Sequence, residues 1–203
     1  MAIQLNPADF EALIFDCDGT LVDTAPAHLA ALRAALKAHD LDMPGPWYFE
    51  RVGLTPMALL DDYEEHFGAL PVTRPELLAI YKVSYLEGVD QLEEVTLVAD
   101  LAREWHGRVP MAVASNGERE NVRSSLKSVG LLQLFDTIVA AEDVSRGKPA
   151  PDVFLEAARR LKAAPGRCIV LEDSDEGMHA AQAAGMAAID IRKSWTPPWK
   201  PKS

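Results

Sequence analysis

The chain has 203 residues, 48% of them hydrophobic, so it can bury an ample core and needs neither a disulfide framework nor a disordered state. Its 20 Lys and Arg against 31 Asp and Glu give a net charge of −11, which repels a polyanionic backbone; no Lys/Arg cluster offsets it, so nucleic acid is not an expected partner. The start MAIQLNPADFEALIFD lacks a basic-then-apolar leader and no run approaches a membrane span, so a soluble, cytoplasmic protein is expected, with Cys17 and Cys168 as reduced core thiols.

In chain order, the first short apolar run, Ala12–Asp16, reads as a buried strand ending in acids. From about Ala25 to Val95 there are helical patterns, Ala27–Ala38, Pro56–Phe67 and Pro75–Leu86, with no strand among them. That interval is too long for one crossover and reads as a helical cap over residues 25–95, leaving 1–24 and 96–203 as the core domain. Further buried strands are expected at Pro110–Ser115, Thr137–Ala141, Cys168–Asp173 and Ala187–Ile191. Between them lie helices at Glu118–Val129, closed by Gly130, at Pro151–Leu161, opened by a proline, and at Glu176–Ala184, closed by Gly185. The alternation predicts an α/β fold: a doubly wound, Rossmann-like parallel sheet with a helical cap inserted after the first strand, near the strand ends where such sheets bind ligands. The tail SWTPPWKPKS reads as a loosely held end, and nothing requires more than a monomer.

The first strand ends Phe15-Asp16-Cys17-Asp18-Gly19-Thr20, and along an extended segment Asp16 and Asp18 point to one side while Cys17 turns into the core. Two carboxylates so close destabilise each other unless one is protonated or a cation lies between them. Glu172 and Asp173 end a second strand on the same edge of a parallel sheet. Four carboxylates sharing one site suit a hard divalent cation, with magnesium the ordinary choice beside phosphate oxygens. A calcium loop of the EF-hand type is excluded, because its sixth and twelfth positions call for glycine and glutamate where Leu21 and Ala27 stand.

Two further strand ends complete the set. Ser115-Asn116-Gly117 offers a hydroxyl, an amide and an unhindered backbone N–H ahead of a helix, suited to phosphate oxygens. Gly147-Lys148-Pro149 places a lysine just before another helix, where it can neutralise carboxylates and phosphate alike. Neither a dinucleotide glycine fingerprint nor a Walker lysine pattern is present.

These segments resemble the haloacid dehalogenase superfamily of phosphatases and phosphomutases. The resemblance rests on Asp16-Cys17-Asp18-Gly19-Thr20 with Asp23-Thr24, Ala114-Ser115-Asn116-Gly117, Gly147-Lys148-Pro149-Ala150-Pro151-Asp152, and Glu172-Asp173-Ser174 with Gly177. It is strongest to the β-phosphoglucomutase-like branch, and within it to small sugar-phosphate phosphatases of the fructose-1-phosphatase kind. The resemblance implies that Asp16 is the nucleophile and that Asp18 protonates the leaving oxygen and later activates water. It implies magnesium held by Asp16, the Asp18 carbonyl and Asp173, with Glu172 as ligand or support, and phosphoryl oxygens held by Ser115, Asn116 and Lys148. His28 falls where the mutase branch places a cap histidine, and Lys82 is a second candidate substrate contact from the cap. That branch carries an arginine for a second phosphate after its hinge glycine, where this chain, at Gly53-Leu54-Thr55-Pro56, has a proline. The expectation is therefore hydrolysis of a small phosphorylated metabolite, such as a sugar phosphate, rather than intramolecular transfer. A receiver-like signalling domain phosphorylated on aspartate is the rival of another class, but it has no use for a helical insertion or a second aspartate.

Overall fold

Four consecutive apolar residues without a polar interruption, Ala12–Phe15 (β1), form the middle strand of the chain's computed structural model, which describes residues 3–200. After β1 come Val22–Asp23 (β2), the helices Ala25–Lys37 (α1), Gly45–Phe49 (α2), Pro56–Phe67 (α3) and Arg74–Gly88 (α4), then Glu93–Glu94 (β3) and Thr96–Trp105 (α5). Met111–Ala114 (β4), Arg119–Ser128 (α6), Thr137–Val139 (β5), Asp152–Leu161 (α7), Cys168–Glu172 (β6), Asp175–Ala183 (α8) and Ala187–Asp190 (β7) follow. β1 pairs in parallel with β4 on one side and β6 on the other, in a five-stranded sheet of order β5-β4-β1-β6-β7. The chain thus builds outward from β1 in one direction and then in the other, which makes the carboxyl ends of β1 and its neighbours a topological switch point.

Strand alternation fills both faces. Leu13 and Phe15 join Met111, Val113 and Leu171 against Val98, Leu101 and Trp105 of α5 and Val122 and Leu126 of α6. Ala12 and Ile14 join Ala112, Val139 and Val170 against Val153 and Phe154 of α7 and Ala180 and Ala181 of α8. Each fully buried Leu, Ile or Phe in these layers contributes about 1.5–3 kcal/mol. The expected doubly wound α/β sheet is the observed one, and both cysteines are free and buried.

The chain divides into two units with separate cores. One comprises the residues up to Thr24 with Leu92–Pro197, and the other Ala25–Gln91 with the tail from Pro198. In the helical unit Leu29, Leu32 and Leu36 of α1 share a core with Leu60 of α3 and with Leu77, Tyr81 and Tyr85 of α4. Thr55 accepts a hydrogen bond from the Ala58 N–H, and with Pro56 at the first position it starts α3; Thr73 and Glu76 form a capping box on α4.

Three features depart from the sequence reading. Glu93–Glu94, inside the interval expected to lack strands, pairs antiparallel with Val22–Asp23, a ladder too short to show any period. The helices α2 and α5 were not anticipated. The tail is not loose as far as Trp199, whose ring stacks on Phe49 with centroids 4.6 Å apart, while Trp195 packs against the sheet core. The tail's residues 201–203, and residues 1–2 at the start, lie outside the described residues. Among the described residues no helix is long and apolar enough to cross a membrane.

Candidate active site

The register of the sheet sets the site. Phe15 lies opposite Val113 and Leu171, so Asp16 is the first residue beyond β1, and its N–H still donates to the Leu171 carbonyl at 3.0 Å. β4 and β6 end beside it, delivering Ser115 and the pair Glu172 and Asp173. The chain does not continue extended through Asp18, as alternation suggested. It turns, with the N–H groups of Thr20, Leu21 and Val22 converging on the Cys17 carbonyl at 3.3, 2.9 and 3.0 Å. Gly19 takes a φ of 88° in this turn, a left-handed conformation that suits glycine. Asp18 reaches the site all the same: Ser115 Oγ donates to its Oδ2 at 3.2 Å and accepts from the Gly117 N–H at 2.9 Å.

Lys148 is the hub. Its Nζ donates to Asp16 Oδ1 at 2.5 Å and to Glu172 Oε2 at 2.7 Å, and it lies 4.9 Å from the centre of the Phe154 ring. Glu172 Oε1 accepts from the Asp173 N–H, the Ser174 N–H and Ser174 Oγ at 3.1, 3.0 and 2.8 Å. Ser174 also caps α8, accepting from the Gly177 N–H at 3.0 Å. Gly177 is packed so closely on Glu172 that a Cβ there would collide with the carboxylate. Asp173 Oδ1 accepts from Thr20 Oγ1 at 2.9 Å. The Asn116 amide turns to Lys148: Oδ1 accepts from the Lys148 N–H at 2.8 Å and Nδ2 donates to the Lys148 carbonyl at 3.2 Å.

The electrostatics follow from burial. Removal from water, and next the Glu172 charge, hold the Asp16 carboxyl well above the usual carboxylate range, with Lys148 working the other way. Asp173 is pushed up to about 7, again first by burial and then by Glu172, with Thr20 and Lys148 opposing. Burial would lower the Lys148 ammonium, but Asp16 and Glu172 outweigh it and hold the side chain firmly protonated. The buried Cys17 thiol is pushed up as well, first by burial and then by Asp18. One lysine among four carboxylates leaves the cluster short of positive charge.

A divalent cation bound there would supply what is missing. Carboxylate oxygens of Asp16, Glu172 and Asp173 lie within 4.8 Å of one another, an all-oxygen donor set suited to a hard ion. Lys148 engages Asp16 Oδ1 and Thr20 engages Asp173 Oδ1, so the Oδ2 atoms of both remain for a metal. The donor set therefore fits magnesium.

Of the residues expected at the site, Asp16, Asp18, Ser115, Asn116, Lys148, Glu172 and Asp173 are joined in the α/β unit by the contacts above. His28 and Lys82 stand on α1 and α4 of the helical unit. There His28 Nδ1 lies 2.6 Å from the Tyr81 hydroxyl, and its ring stacks on Tyr85 with centroids 4.4 Å apart. Two supporting residues had gone unassigned. Ser174 was within reach of a helix-cap argument, being the hydroxyl residue directly before α8. Thr20 stands in the first motif, but its partner Asp173 is remote in sequence, so nothing local pointed to their bond.

Residues 13–191 match the family model described as haloacid dehalogenase-like hydrolase. The chain belongs to that family. This haloacid dehalogenase-like hydrolase is 38% identical over 185 residues to fructose-1-phosphate phosphatase YqaB of Escherichia coli (strain K12), covering 90% of the chain and 97% of that protein. It is 35% identical over 186 residues to the bifunctional riboflavin kinase/FMN phosphatase of Arabidopsis thaliana, covering 88% of the chain and 48% of the relative. Among solved structures, CbbY from Rhodobacter sphaeroides in complex with phosphate superimposes with a TM-score of 0.77 at 26% identity, covering 88% of this chain and 84% of that one. The chain is thus an enzyme of this hydrolase family, and the resemblance read from its motifs is borne out.

Proposed function

We propose that this hydrolase is a magnesium-dependent phosphatase that cleaves a small phosphomonoester, a sugar phosphate first among candidates, through an aspartyl-phosphate on Asp16. The observation that carries the reading is the Lys148 ammonium bridging Asp16 and Glu172 at the ends of β1 and β6, with Asp18, Ser115 and Asp173 around them.

In this reading Asp16 attacks phosphorus while Asp18 gives its proton to the departing alkoxide oxygen. Asp18 then takes a proton from the water that attacks the aspartyl-phosphate, which releases inorganic phosphate and restores both carboxyl groups. Lys148 and the Ser115 hydroxyl hold phosphoryl oxygens, so charge building on them is met by donors already in place. Asp16 and Asp173, with the Asp18 carbonyl and support from Glu172, hold magnesium, which when bound neutralises the carboxylates and the phosphoryl group together. His28 and Lys82 are kept as candidate substrate contacts from the helical unit.

The likeness to the fructose-1-phosphate phosphatase, at 38% identity over 90% of the chain, makes fructose 1-phosphate the first substrate to test. The experiment is a panel of sugar phosphates, nucleotides, phosphoglycolate and p-nitrophenyl phosphate, with and without magnesium. Sustained phosphate release that requires the ion is expected. Substoichiometric release would favour a receiver, and glucose 6-phosphate made from β-glucose 1-phosphate with a bisphosphate primer would favour a mutase. Pro56 speaks against the mutase, since it starts α3 where that branch carries its second phosphate grip.

A further inference from the structure

Lys148 stands in a turn outside helix and strand, so no ladder of hydrogen bonds fixes its backbone. Among the described residues that role falls to one side chain. Asn116 Oδ1 accepts from the Lys148 N–H at 2.8 Å, and Asn116 Nδ2 donates to the Lys148 carbonyl at 3.2 Å. The two ends of the amide cannot be exchanged, because an N–H must meet an oxygen and a carbonyl must meet the NH₂. The approach is made possible by Gly147, where a Cβ would lie 2.6 Å from Asn116 Oδ1. A two-point bond to both groups of one peptide residue fixes orientation as well as distance, as a pair in an antiparallel sheet does.

We propose that Asn116 is a positioning residue whose amide clamps the backbone of Lys148, and that it acts on the phosphoryl group through that lysine instead of touching it with its own side chain. The inference rests on the phosphatase reading, in which Lys148 holds phosphoryl oxygens. The clamp keeps the Lys148 ammonium within hydrogen-bonding reach of Asp16 and Glu172. A misplacement of about 1 Å is enough to cost on the order of 10²-fold in rate.

A double-mutant cycle on Asn116→Ala and Lys148→Ala tests it, with p-nitrophenyl phosphate kinetics and calorimetric binding of inorganic phosphate as readouts. Asn116→Ala alone should lower kcat and phosphate affinity, by on the order of ten- to a hundredfold in rate, and should change neither further in the Lys148→Ala background. Losses that multiply in the double variant would mean the amide meets phosphate directly, which overturns the clamp, as would an Asn116→Ala enzyme with unchanged kinetics. Asn116→Asp keeps the acceptor for the Lys148 N–H but sets a carboxylate oxygen against the Lys148 carbonyl, so it should lose at least as much as Asn116→Ala. A measurement independent of turnover is the reactivity of the Lys148 amine toward a water-soluble acylating reagent, read by peptide mass spectrometry. It should rise in Asn116→Ala and Asn116→Asp, and unchanged protection in both would sink the proposal. If the unaltered enzyme neither binds phosphate nor turns over any ester, the phosphatase reading fails, and the labelling still decides the clamp.

Discussion

The two units of the molecule spend their unusual residues in opposite ways. Tyrosine and tryptophan aside, among the described residues every buried polar or charged side chain, Asp16, Thr20, Thr24, Ser115, Ser125, Lys148 and Glu172, belongs to the α/β unit. The exposed large apolar side chains, Val52, Leu54, Met57, Phe67, Ile80 and Val83, belong to the helical unit, with Leu155 the exception. Burying charge is costly and tolerates little change in its partners, whereas an exposed valine or methionine can be exchanged at small cost. Substitution is therefore expensive at the buried polar positions of the α/β unit and cheap at the exposed apolar positions of the helical unit.

That contrast can be broken by experiment. The largest effect is expected for Asp16→Asn, which should reduce turnover about 10⁴-fold or more while leaving the circular dichroism spectrum intact; near-normal activity would remove the nucleophile. Lys148→Met should lower kcat on the order of 10²–10³-fold. Because it leaves Asp16 and Glu172 facing each other in the interior, it should also cost about 3–5 kcal/mol in a denaturant titration. A variant as stable as the parent would show that the buried ion pair contributes nothing to holding the strand ends.

Gly177→Ala gives a sharper comparison because its sign is unusual. Glycine to alanine inside a helix ordinarily stabilises by about 0.5–1 kcal/mol. Here the added methyl meets the Glu172 carboxylate, so a loss of about 1–3 kcal/mol and reduced activity are expected instead.

The pH dependence has a defined direction. Asp173, raised to about 7, keeps a proton in the folded chain that the unfolded chain has lost above about pH 4. In EDTA the melting temperature should fall as pH rises through that window, and Asp173→Asn should flatten its share of the slope. Magnesium binding should strengthen over the same range, because ligand carboxylates must lose their protons to bind it. A metal-free melting temperature that rises from pH 5 to pH 8 would contradict the buried, mutually repelling carboxylates. At the small end, Val83→Thr on α4, 57% exposed, should change stability by less than about 0.5 kcal/mol.

The sheet was legible because β1, β4, β5 and β6 are short apolar runs closed by polar or acidic residues, and the gathering of the candidate site because its residues sit at those closures. Helix α3 was read to the residue, since Pro56 opens it and Phe67 ends the apolar period. What escaped did so for identifiable reasons. α2 has five residues and no period, and the β2–β3 ladder is two residues long. α5 carries Val98, Leu101, Ala102 and Trp105 at helical spacing, so its signal was present in the sequence though unread. The partners of Glu172 and Asn116 depend on which loops meet across the sheet, and spacing along one chain does not encode that.

The small antiparallel ladder has a consequence for how such enzymes diversify. Asp23 and Glu93 are direct partners across it, just where the polypeptide departs from the α/β unit and where it comes back. The segment between those two positions thus has adjoining ends, so an insert of another length or a brief hairpin linker could take its place, at the cost of the Trp199 stack on Phe49. The central strands would register no change of length.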